Sequence, residues 1–77
     1  MGGSNLITFT VDGVEYQAEE GMTWQEWCNS EYNTHGFWCS GNQIIFTGII
    51  IQGQTPSDVI YNGCVYRVLA SGSGGGN

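Results

Sequence analysis

Two runs rich in β-branched and aromatic residues, Leu6 to Val11 and Val14 to Ala18, are separated by Asp12-Gly13. Aspartate followed by glycine suits the two positive-φ positions of a type I′ turn, whose twist matches that of paired strands, so this segment reads as a tight β-hairpin. The two-residue period then puts Ile7, Phe9 and Val11 on one face and makes Val14, Tyr16 and Ala18 the matching set. Glu15 and Gln17 fall on the other face and point to water.

Glu19-Glu20-Gly21 breaks the strand pattern, and Thr23-Trp24-Gln25-Glu26 fits a capping box, in which threonine and glutamate satisfy each other's orphan N–H groups. A helix is expected from Trp24. Trp24, Trp27, Cys28 and Tyr32 lie at i, i+3, i+4 and i+8, one helical stripe, with Gln25, Glu26, Asn29 and Ser30 off it. The helix is expected to run about two turns and end near Asn33-Thr34-His35-Gly36.

The rest of the chain carries strand signals: Phe37 to Cys39, a Ser40-Gly41-Asn42 turn, Gln43 to Phe46, a break at Gly48, and Ile49 to Ile51. Gln52 to Asp58 holds the only proline and reads as a loop. Val59 to Tyr61 and Cys64 to Leu69 flank Asn62-Gly63, which predicts a second tight hairpin. Its likeness to the first is what any two such hairpins would share. At the ends, Met1 to Asn5 and the Ser71 to Asn77 stretch S-G-S-G-G-G-N have the composition of flexible chain, which leaves one folded domain over residues 6–70.

A chain of 77 residues with 40% hydrophobic content and ten aromatics suits one small globular domain, and no apolar run approaches the roughly twenty residues that span a bilayer. Met1 to Asn5 lack the basic start, apolar stretch and cleavage site of a secretory signal. Seven acids against one base, Arg67, give a net charge of -6, which would repel a phosphate backbone. Partners are therefore expected to be proteins, not nucleic acid or membrane.

The order strand, Val11-Asp12-Gly13, strand, Glu19-Glu20-Gly21 and threonine-capped helix, from Ile7 to Trp27, resembles the opening of β-grasp domains, which include ubiquitin-like sulfur carriers and plant-type ferredoxins. The resemblance covers about twenty residues and implies a fold segment, not an activity. A plant-type ferredoxin needs four cysteines, three of them in a C-x4-C-x2-C run, and this chain has only Cys28, Cys39 and Cys64. A sulfur carrier ends in Gly-Gly, whereas here Gly74-Gly75-Gly76 is followed by Asn77. The wording from Tyr16 to Trp27, with Ser30-Glu31-Tyr32-Asn33-Thr34 and Pro56-Ser57-Asp58-Val59-Ile60, is also similar to small proteins of tailed bacteriophages and prophages. That likeness implies a virion or host-cytoplasm setting and supplies no residue roles.

The side chains that could carry chemistry are few. A nucleophilic thiol needs a base within reach and an orienting third group. Cys28 and His35 could come into contact, but Cys28 sits on the buried stripe, where a thiol packs as an inert small hydrophobe. Cys28, Cys39, Cys64 and His35 sum to a Cys3His zinc set, but only His35-x3-Cys39 has close ligand spacing. No catalytic residue, metal or cofactor is assigned. The cysteines read as three buried thiols or as one bridge with one free thiol. Glu19 and Glu20 precede the helix where its positive end favours them, and Asp12 and Asp58 suit turns.

Surplus apolar surface is the feature that points to function. Three tryptophans, and the run Ile44-Ile45-Phe46-Thr47-Gly48-Ile49-Ile50-Ile51, exceed what one helix on one sheet can bury. Consecutive apolar strand residues need cover on both faces, from folded-over loops, a partner or a second copy. Phe37, Trp38, Ile45 and Ile50 are the candidate interaction residues, with Trp38 the exposed anchor. The sequence is therefore read as an α+β domain, a mainly antiparallel sheet of about five strands with one short helix across it, β-grasp-like in its first half. Its expected function is non-enzymatic: a protein-interaction or self-assembly module such as a phage virion or accessory protein, or else an acidic inhibitor docking on a basic surface of a host protein.

Overall fold

β1 (Leu6–Val11) and β2 (Val14–Glu19) pair antiparallel with Val11 opposite Val14 and Ile7 opposite Ala18. Asp12 and Gly13 sit at φ 52° and 82°, the two left-handed positions of the type I′ turn that the sequence demands. Ile7, Phe9, Val11, Tyr16 and Ala18 are buried, but Val14 is exposed. Val14 lies at the turn, at the end of the ribbon. These coordinates are a computed structural model describing residues 5–70. The Gly/Ser stretch 71–77 and residues 1–4, expected to be flexible, lie outside the described residues. Asn5 is tied into the domain: its carbonyl accepts from the Glu20 N–H at 2.8 Å and its Nδ2 donates to Glu20 Oε1 at 3.1 Å.

The helix α1 (Trp24–Cys28) starts with the expected capping box. Thr23 Oγ1 accepts from the Glu26 N–H at 3.2 Å, and Glu26 Oε1 accepts from the Thr23 N–H at 3.0 Å. It is five residues long, shorter than the two turns expected. Side chains displace the backbone ladder: Ser30 Oγ donates to the Trp27 carbonyl at 2.7 Å, and Asn33 Nδ2 donates to the Cys28 carbonyl at 2.8 Å. Serine and asparagine compete for backbone partners in this way and end helices early. At the other end, the loop after residue 51 supplies acceptors to the helix's orphan donors, the Trp24 N–H reaching the Asp58 carbonyl and the Gln25 N–H the Pro56 carbonyl, both at 3.0 Å. Asp58 Oδ2 folds that loop by accepting from the Thr55 N–H at 2.8 Å.

The remaining strands are β3 (Trp38–Ser40), β4 (Gln43–Phe46), β5 (Ile49–Ile51), β6 (Val65–Tyr66) and β7 (Val68–Ala70). They form two sheets, of order β2-β1-β6 and β3-β4-β5-β7, not the single sheet of about five strands expected. The cause lies at Arg67, where the last strand changes sheets. Before it, Val65 and Tyr66 run parallel to Thr10 and Val11; after it, Val68 to Ala70 pair antiparallel with β5. The class is α+β, with mainly antiparallel pairing.

Two turns differ instructively from expectation. Thr47-Gly48, read as a break, is a type I′ turn with φ 43° and 83°, and it joins β4 to β5. Threonine is not an intuitive turn residue, because a β-branched side chain resists positive φ. Asn62-Gly63 makes no hairpin. Only Gly63 has positive φ, and Asn62 turns its side chain to β1 instead, Oδ1 accepting from the Thr8 N–H at 3.0 Å. The Gly63 N–H then donates to the Thr8 carbonyl at 2.7 Å, so the turn docks on β1, and its own flanks meet only through the Cys64 N–H donating to the Tyr61 carbonyl at 3.4 Å without pairing as strands.

The core lies where the two sheets and the helix meet. Trp24 and Trp27 are fully buried and pack with Phe9, Tyr16, Phe37, Ile44, Ile51, Ile60 and Tyr66. Trp27 Nε1 donates to the Gln17 carbonyl at 2.7 Å and Trp24 Nε1 to Gln54 Oε1 at 2.9 Å. Among the described residues, no buried side-chain nitrogen or oxygen lacks a partner. Two sheets around one helix thus absorb most of the aromatic surplus.

Candidate functional site

Part of the surplus stays outside, and the strand register collects it in one row. Across the four-stranded sheet Trp38 lies opposite Ile45, Ile45 opposite Ile50, and Ile50 opposite Leu69. Alternate residues face opposite sides of a sheet. The inward set, Cys39, Ile44, Ile51 and Val68, packs in or against the core, so the row Trp38-Ile45-Ile50-Leu69 faces outward. Trp38 is 49% and Leu69 55% exposed, with Ile45 and Ile50 half-buried between them. At about 4.8 Å per strand the row spans roughly 15 Å. Exposed Ser40 and Gln43, paired across β3 and β4, follow on the same side and form a polar margin at that end.

Charge sets this sheet apart. Residues 32–57 contain no Asp, Glu, Lys or Arg, and strands β3, β4, β5 and β7 carry no charged side chain. Asp12, Glu15, Glu19, Glu20, Glu26 and Glu31 all belong to the first hairpin and the helix region. An apolar row on an uncharged sheet has the composition of an interface core, from which charge is depleted.

Of the four residues singled out by sequence, the structure brings Trp38, Ile45 and Ile50 into this row and removes Phe37. Phe37 is 4% exposed and stacks on Phe46 with ring centroids 4.4 Å apart. It precedes β3 and faces inward, against Trp27 and Tyr16. Leu69 was missed, because only the pairing of β7 with β5 shows that it continues the row.

The candidate chemistry is scattered. Cys28 and Cys39 share a recess with Gln25, Asn29, Phe37 and Trp38, whereas His35 packs its ring edge-on against Tyr16 at 5.2 Å and Phe46 at 6.1 Å. Cys64 is beside the Tyr66 hydroxyl. Among the described residues no group of three His, Cys, Asp or Glu side chains is placed to hold a metal ion, and no helix is long and apolar enough to cross a membrane.

Burial, followed by the neighbouring Cys64, pushes the Tyr66 hydroxyl up from 10.0 to about 12, against the lowering effect of the Tyr61 N–H it accepts from. Burial and Cys39 push the Cys28 thiol from 9.0 to about 12. Both groups are held neutral in the fold and ionise more readily in the unfolded chain. The stability they contribute is complete below about pH 9 and falls as pH rises from there toward 12. Denaturant midpoints are expected to fall steeply over that window, and Tyr66→Phe, which cannot ionise, is expected to flatten the fall. An equal alkaline loss in Tyr66→Phe would exclude Tyr66 as its source. Comparisons of the chain with protein-family models, curated proteins and solved structures find no match.

Proposed function

We propose that this protein is a non-enzymatic self-association module, of the kind a phage virion or accessory protein uses, and that two copies meet through the outer face of the four-stranded sheet. The observation that carries the reading is the row Trp38-Ile45-Ile50-Leu69 on a sheet without charge. A second copy fits it for two reasons. A chain of net charge -6 repels its own kind least when the copies meet by a face that carries no acid. And the row is self-complementary: a two-fold axis between Ile45 and Ile50 sets Trp38 of one copy against Leu69 of the other. The partner in this reading is protein, not nucleic acid or membrane. The finer fold relationship belongs to the same proposal: the hairpin, the capped helix and a late strand parallel to β1 support a β-grasp-like first half.

The second reading, an acidic inhibitor docking on a basic host surface, is favoured by the six acids gathered between residues 12 and 31. Several of these serve the fold: Glu26 closes the capping box, Glu19 accepts from the Tyr32 hydroxyl at 3.0 Å, and Glu20 binds Asn5. Self-association is therefore the stronger reading. Sedimentation velocity across a concentration series decides it. The row is small beside a standard interface of about 800 Å² per partner, so a weak dimer is expected. Added salt should strengthen it by screening like charge, whereas docking on a basic surface would weaken in salt. Ile50→Lys, which puts a charge in the middle of the row, should weaken the dimer at least about tenfold, as burial of an unpaired charge does. A chain that stays monomeric at every concentration, or a dimer indifferent to Ile50→Lys and Trp38→Ala, would overturn the proposal.

A further inference from the structure

Cys28 is the last residue of α1 and Cys39 the middle residue of the edge strand β3, and the two thiols are near neighbours on facing elements. They lie in a surface recess of about 220 Å³ lined also by Gln25, Asn29, Phe37 and Trp38. Their approach is built into the backbone and does not depend on the sulfurs. Asn33 Nδ2 donates to the Cys28 carbonyl and to the Phe37 carbonyl, each at 2.8 Å, so one amide ties together the two ends of the segment between the cysteines. Cys64 belongs to another part of the molecule, beside Tyr66 and with its carbonyl accepting from Thr10 on β1.

We infer that Cys28 and Cys39 form a site of reversible oxidation, closing to an intramolecular disulfide that fastens α1 to β3 while Cys64 stays a free thiol. The oxidant is a low-molecular-weight disulfide. Cys39 Sγ, as thiolate, attacks one sulfur of that molecule, the small S–S bond breaks, and one small thiolate leaves. Cys28 Sγ then loses its proton to solvent and attacks the Cys39 sulfur, and the second small thiolate leaves. Two protein thiols and one small disulfide become one protein disulfide and two small thiols, so two electrons pass to the oxidant. The order follows from the environment of Cys28, whose thiol is held protonated by burial and by its neighbour and is a poor first nucleophile. A fold that does not stabilise the thiolate also gives the reduced form no advantage, the opposite of strongly oxidising dithiols. The bridge would close the segment that leads into Trp38. It stands on its own geometry, apart from the self-association reading.

The full chain exposed to oxidised glutathione tests this by intact mass, thiol alkylation and peptide mapping. The expected product is lighter by two hydrogens, keeps one alkylatable thiol, and maps with the Cys28 and Cys39 peptides joined. Closing the loop should raise the thermal midpoint by roughly 10 °C. In Cys28→Ser the reaction should halt at a glutathione adduct on Cys39. Persistent glutathione adducts on the wild-type chain, a bridge involving Cys64, or three thiols that all remain alkylatable would each overturn the assignment. So would a Cys28→Ser chain on which Cys39 takes up no glutathione.

Discussion

Trp27→Ala is expected to leave no folded protein at ordinary temperature. Trp27 is fully buried, and its ring sits edge-on to Phe9, Tyr16, Trp24 and Phe37 at centroid distances of 5.5, 5.9, 5.9 and 5.1 Å. Removing a buried tryptophan costs about 3–5 kcal/mol in lost transfer energy and cavity. Four edge-on ring pairs add to that, at roughly 0.5–1.5 kcal/mol each beyond burial. A domain of this size rarely holds more than about 3–5 kcal/mol from its core. The Gln17 carbonyl would also lose the Nε1 hydrogen bond made at 2.7 Å. Circular dichroism should show a broad or absent thermal transition. Trp27→Phe separates packing from polarity: it keeps most of the ring contact, loses the indole donor, and should stay folded with a lower midpoint. A cooperative Trp27→Ala transition near the wild-type midpoint would mean that the two sheets hold together without the helix.

What the sequence made legible was mostly local. Asp12-Gly13 and the Thr23/Glu26 box act within a few residues, through turn geometry and capping bonds, and both are found as expected. Asn62-Gly63 shows the limit of that reasoning. The same turn chemistry was available, but bonds to Thr8, 54 residues away, outweighed it. The division into two sheets was hidden for a related reason: Arg67 marks a change of partner, and partners are decided by tertiary pairing. The outer face was half legible. Trp38, Ile45 and Ile50 stand out as apolar side chains in excess of one core, yet only register shows that they align, that Leu69 completes the row, and that neighbouring Phe37 points the other way. Period-two alternation assigns faces correctly once the strand start is known. Here β3 begins at Trp38, one residue later than expected.

Asn33 is legible in the sequence only as part of the helix end, and its replacement carries the second large expected effect. Its one amide makes four hydrogen bonds. Nδ2 donates to the Cys28 and Phe37 carbonyls, and Oδ1 accepts from the Gly36 and Phe37 N–H groups at 3.2 and 3.1 Å. This closes the connection from α1 to β3 around a single side chain. Asn33→Asp keeps the shape and the acceptor but points a carboxylate oxygen at two carbonyl oxygens. Two lost donors, each leaving a partly buried acceptor unpaired, cost about 2–4 kcal/mol before any repulsion. Asn33→Ala removes both sides of the network and should cost about the same, whereas Thr34→Ala nearby should change stability by less than about 0.5 kcal/mol. Chemical denaturation gives these differences directly. The connection also delivers Cys39 to Cys28 and Trp38 to the outer face, so an Asn33→Asp chain kept folded in the cold should lose ordered Trp38 fluorescence and close the Cys28–Cys39 bridge more slowly. Unchanged bridge closure in that variant would mean that packing of α1 against β3 positions the thiols without the amide.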